Sequence, residues 1–167
     1  LIEPATLKIQ RLLPGPIERV WAYLTESKLR RQWLAAGEMT LKTGAPFTLT
    51  WRNDELTDPP GKKPEGFGEE RSMASRIGEV DPPRRLVFSW GESGTGEVAI
   101  DLEARGEKVL LTLIHRRLPD RGVTVMVGAG WHAHLDVLAA RVGGQEPAPF
   151  WDSWVALRED HEPRVPA

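Results

Sequence analysis

Apolar and polar residues alternate from Leu7 to Leu13, as they do along a strand with one wet face. Pro14-Gly15-Pro16 ends that run, and the period then changes. Ile17, Val20, Trp21 and Leu24 recur at three- and four-residue steps, with Glu18 and Arg19 on the other side. This spacing predicts a short amphipathic helix beginning after Pro16. Thr25 or Ser27 can cap a second short helix, with Leu29, Trp33 and Leu34 as its apolar stripe and Lys28, Arg30 and Arg31 in solvent. Gly37 is expected to close this helical pair.

Residues 38–42 and 47–52 read as strands around the turn Thr43-Gly44-Ala45-Pro46, the second placing Phe47, Leu49 and Trp51 on one face. Residues 53–71 lose all rhythm and are charged and rich in Gly and Pro, so they predict a long connection. Its length raises a lid role against the plainer account of a surface excursion, with Asp54, Glu55 and Asp58 simply solvated. Strand patterns resume over 73–80, 85–90, 97–103 and 109–115, separated by short turns. Such a meander suits an antiparallel sheet with one dry face, and that face needs a cover.

The cover is predicted over residues 123–142, where Val127, Trp131, Leu135, Leu138 and Val142 form one stripe at helical spacing before Gly143-Gly144. At 1.5 Å rise per residue this helix would be about 30 Å long, enough to cross the sheet. Gly128, Ala129, Gly130, Ala133, Ala139 and Ala140 are small, so the helix can approach its neighbours closely or leave room beneath itself. The organisation expected is one domain over residues 1–144 and an extension over 145–167. In that extension Phe150, Trp151, Trp154 and Leu157 form a further apolar stripe, which must dock on the domain or on a second copy in a homodimer.

Composition narrows the field. The 167 residues fit a single domain. The absence of cysteine excludes disulfides, thiolate metal sites and a Cys nucleophile. Twenty-two basic and twenty-four acidic residues give a net charge of −2, which offers nucleic acid or an anionic bilayer no attraction. No apolar run approaches the roughly 20 residues needed to span a membrane, and the first residues lack a leader pattern, so a cytoplasmic protein is expected. Seven tryptophans against one tyrosine require either an unusually aromatic core or an aromatic cavity.

Several segments together carry a resemblance: Pro16-Ile17-Glu18-Arg19-Val20-Trp21, Leu29-Arg30-Arg31-Gln32-Trp33, and Asp81-Pro82-Pro83-Arg84-Arg85-Leu86-Val87-Phe88-Ser89-Trp90. Leu111-Thr112-Leu113-Ile114-His115 and Gly130-Trp131 with Leu135 and Leu138 complete it. The chain resembles the SRPBCC, or START-like, superfamily over about residues 5–143, within the branch named after the activator of the ninety-kilodalton heat-shock-protein ATPase. The resemblance implies an α+β helix-grip fold, a curved antiparallel sheet wrapped around a long C-terminal helix, with two short helices after the first strand. It also implies a cavity between sheet and helix that takes lipids, sterols or polyketides, and in a minority of members serves catalysis.

Facing then selects candidate ligand contacts: Phe47, Trp51, Phe88, Trp90, Leu111, Leu113 and His115 on the sheet, and Trp131, His134, Leu135 and Leu138 on the helix. Plain core packing is the competing account of each apolar one. His115 falls in line with Leu111 and Leu113, and a buried imidazole needs hydrogen-bond partners. His132-Ala133-His134 cannot chelate one metal ion, because residues two apart on a helix point about 200° from each other. His132 and Asp136 can instead meet as a surface pair. Nothing in the pattern calls for a metal or a cofactor.

Three functions therefore compete. One is a carrier or sensor of an apolar small molecule. The second is an enzyme of the cyclase, aromatase or hydratase kind with His115 as acid or base. The third is a module that contacts a chaperone or its client.

Overall fold

The computed structural model describes residues 5–52, 56, 71–90, 96–118, 121–145, 147 and 150–161. Strand β1 (Ala5–Pro14) leads into helices α1 (Ile17–Thr25) and α2 (Ser27–Arg30). Strands β2 (Pro46–Trp51), β3 (Arg71–Asp81), β4 (Arg85–Trp90), β5 (Gly96–Arg105) and β6 (Lys108–Leu118) follow, then α3 (Arg121–Val142) and α4 (Phe150–His161). The six strands form one antiparallel sheet in the order β1-β6-β5-β4-β3-β2. This is the α+β helix-grip architecture, with five strands after the helical pair where the sequence pattern predicts six.

The missing strand is the one expected over residues 38–42. Gly37 adopts φ 140°, and the chain after it turns away instead of running beside β2. The Lys42 N–H bonds to the Thr40 carbonyl at 2.8 Å and the Gly44 N–H to Ile77 at 2.7 Å, which removes donors that a ladder would need. Only Ala36 bridges to Thr50, through two bonds of 2.9 Å. The alternation of Met39 and Leu41 therefore has no partner strand, and Leu41 stays exposed.

The helical pair is also built differently from its sequence pattern. Neither expected cap acts as one: the Thr25 hydroxyl donates back to the Trp21 carbonyl at 3.0 Å, and the Ser27 hydroxyl accepts the Gly37 N–H at 2.9 Å. Arg30, expected in solvent, is 2% exposed. Its guanidinium donates to the carbonyls of Ala35 at 3.1 Å, Leu24 at 3.2 Å, Thr25 at 3.3 Å and Gly37. Amphipathic spacing hides this because an Arg inside a tight turn is satisfied by carbonyls, not by water.

α3 lies against the sheet through Trp131, Leu135, Leu138 and Val142, all buried. Gly144 at φ 71° and a bond from the Gln145 N–H to the Ala140 carbonyl at 2.8 Å close it. Its other side is covered by α4, whose Phe150, Trp151 and Trp154 are buried within the chain. At Gly130 a Cβ would stand 3.8 Å from the Trp154 indole nitrogen, so part of the small-residue surface of α3 serves close approach of α4. On the edge strand, Arg11 reaches the Nδ1 of His132 at 2.7 Å and the Asp136 carboxylate at 3.4 Å. The expected pair of His132 and Asp136 is thus joined through a third residue. Most of the connection over 53–71, and with it any lid role, lies outside the described residues, although Leu56 is buried and Arg71 opens β3.

Candidate functional site

The ends of three elements bring aromatic side chains to one place. Trp51 ends β2, Trp90 ends β4, and His115 stands near the end of β6. Alternation turns these side chains to the same concave face, and α3 brings Trp131 over it. Trp51 and Trp90 meet edge to face with centroids 5.6 Å apart, Trp90 lies 4.9 Å from His115, and Trp90 is 5.6 Å from Trp131. Beside them Phe47 and Phe88 pair at 5.7 Å, and Phe88 lies 6.5 Å from Trp90. Each such pair contributes about 0.5–1.5 kcal/mol beyond its area. Trp90 is only half-buried, whereas Trp51, His115 and Trp131 are buried.

His115 is 1% exposed. Its Nδ1 accepts the Trp131 indole N–H at 3.0 Å. An indole nitrogen is a donor only, so Nδ1 must hold a lone pair and the neutral ring carries its proton on Nε2. Burial pushes the imidazole down to about 4, and a proton on Nδ1 would face the indole donor, so the ring is neutral at pH 7. The Nε2 atom is buried and finds no hydrogen-bond partner among the described residues. A buried donor left in this state costs about 1–3 kcal/mol.

Two further residues, missed by the sequence reading, complete the site. Gly96 opens β5 directly opposite Trp90. A Cβ there would lie 3.0 Å from the Trp90 Cβ and 3.6 Å from His115 Nε2, so glycine lets β5 pass close to both side chains. Ser75 faces Phe47 across the β2–β3 ladder and is 3% exposed, and its hydroxyl also lacks a partner among the described residues. Neither carries a sequence signal of its own: Gly96 reads as part of a turn, and Ser75 is a small polar residue in line with Met73 and Ile77.

The remaining candidates fall into two groups. Leu111, Leu113, Leu135 and Leu138 are at most 1% exposed and belong to the main core between sheet and helix. There the two surfaces meet through side chains. His134 has other neighbours: its Nδ1–H donates to the Trp33 carbonyl at 2.8 Å, and its ring stacks at 4.8 Å on Phe150 of α4. Burial pushes it down to about 4 as well. The rings of His132 and His134 thus serve different partners.

The comparisons with known proteins agree with this architecture. The family model described as Activator of Hsp90 ATPase homolog 1-like protein matches residues 14–143. The solution structure of a Bordetella parapertussis protein encoded by gene BPP1335 is 37% identical, with TM-score 0.83 over 99% of this chain and 89% of its own. CalU16 from Micromonospora echinospora is 24% identical with TM-score 0.68, over 93% of this chain and 84% of its own. EF2215 from Enterococcus faecalis is 16% identical with TM-score 0.71, over 95% and 83%. The last two show likeness of fold alone. No curated protein matches the sequence at a significant level. With its family pattern, a sheet of six antiparallel strands and a long helix against its concave face, the chain belongs to the Activator of Hsp90 ATPase homolog 1-like family of the SRPBCC superfamily.

Proposed function

We propose that the chain binds an apolar small molecule bearing a hydrogen-bond acceptor, at the end of the sheet where Trp51, Trp90, His115 and Trp131 converge. The observation that carries this reading is the buried Nε2–H of His115, which has no acceptor among the described residues. A carbonyl or ether oxygen placed there recovers the cost of the orphaned donor, while the surrounding rings contribute roughly 25 cal/mol per Å² of apolar surface covered. Trp90, the least buried of these rings, is the side chain that yields to admit it. The tautomer favours binding over acid–base chemistry: Nδ1 is occupied by Trp131, and Nε2 already carries the proton that a general base would have to accept.

A matched pair of probes tests this. Tryptophan fluorescence titrations should show 2-acetylnaphthalene binding about tenfold more tightly than 2-isopropenylnaphthalene, in which a CH2 group replaces the carbonyl oxygen and removes the acceptor at closely similar shape. His115→Phe should bind both equally. Equal affinity of the two probes for the unaltered protein, or no quenching by either, would refute the reading.

A further inference from the structure

A second concavity, of about 320 Å³, lies away from the aromatic cluster, between α2, the end of β2 and the last turn of α3. Its floor is the Ala36–Thr50 bridge. Among the described residues nine line it, of which four are cationic, Lys28, Arg31, Arg52 and Arg141, and none is a carboxylate. Gln32 and Thr50 add polar side chains to the same lining. In a chain of net charge −2 this is a local reversal of sign. A cleft lined by one sign of charge focuses its field on whatever enters it.

Two features make it more than a solvated surface. Arg141 is held in place: its guanidinium donates to the Leu56 carbonyl at 2.7 Å and to the Gln32 carbonyl at 3.4 Å, so its charge is fixed without being neutralised by these contacts. Lys28 and Arg31 project from the helical turn that Arg30 anchors, and neither forms an ion pair among the described residues. Three like charges held about one opening repel one another, and a small anion relieves that repulsion. The volume lies at the lower end of the roughly 300–1,000 Å³ usual for small-molecule sites.

We propose that this cleft is a binding site for a small, multiply charged anion of the phosphate or polycarboxylate class, held by Lys28, Arg31 and Arg141. Trp131 and Arg141 are ten residues apart on α3, about 15 Å along the helix, so the two sites are separate. Isothermal titration of the full chain with pyrophosphate and, in a second arm, with citrate at constant ionic strength provides the test. Saturable one-to-one binding of at least one probe is expected, and the arm that binds more tightly identifies the anion class. The double substitution Lys28→Gln with Arg31→Gln, at exposed positions that leave the fold intact, should weaken binding at least tenfold. His115→Phe should leave it unchanged, which separates this site from the aromatic one. Absence of saturable binding of both probes, or equal binding by the double variant, would overturn the proposal.

Discussion

Replacing Arg30 by Met should lower the stability of the protein by about 3–5 kcal/mol. The side chain is 2% exposed and satisfies four carbonyls, those of Leu24 and Thr25 at the end of α1 and those of Ala35 and Gly37 in the turn that follows α2. Burial draws the guanidinium down to about 10, still far above neutral, so it remains charged and each bond is charge-assisted. Methionine would fill much of the volume but leave these carbonyls without donors. Lysine should recover only part of the loss, because an ammonium group cannot reproduce the planar fork. Gly37→Ala should be comparably damaging, since a Cβ there would stand 1.8 Å from the Thr48 carbonyl oxygen at a φ of 140°. Urea denaturation measures all three. A loss below 1 kcal/mol for Arg30→Met would mean that the turn is held by something else.

The second large effect is loss of stability on acidification from about pH 6.5 to about pH 4. His115 and His134 are both depressed to about 4 in the folded chain by burial, against 6.5 when unfolded. Between those values the unfolded state binds protons that the folded state refuses, so lowering the pH favours unfolding. At 1.36 kcal/mol per unit, each histidine contributes up to about 3 kcal/mol across the window. His115→Phe should flatten the slope by about half. A profile flat from pH 6.5 to 4.5 in the unaltered chain would show that these rings are not buried as neutral bases.

The sheet and its cover helix were legible because their signals are periodic: alternation in the segments that became β2, β4, β5 and β6, and the Trp131, Leu135, Leu138 stripe on α3. The strand expected over 38–42 failed because alternation describes a face and not a partner, and Gly37 sends the chain away from β2. Arg30 failed for a related reason, its partners being carbonyls that any sequence possesses. Within the aromatic site, Trp51, Trp90, His115 and Trp131 could be chosen by facing, since inward strand positions and the helix underside must converge. Which of them touch, and which nitrogen of His115 carries the proton, follows from one bond between α3 and β6 that has no local signature. His134 shows the limit of facing arguments, because α3 has a second buried side, under α4.

The protonation of His115 in the free protein tests the account most directly, through the ¹⁵N resonances of its ring at pH 7. A neutral ring with hydrogen on Nε2 and none on Nδ1, and an Nε2–H signal that moves when 2-acetylnaphthalene is added, is the expected result. Hydrogen on Nδ1, or an imidazolium at that pH, would contradict both the bond from Trp131 and the buried donor on which the proposed ligand recognition rests.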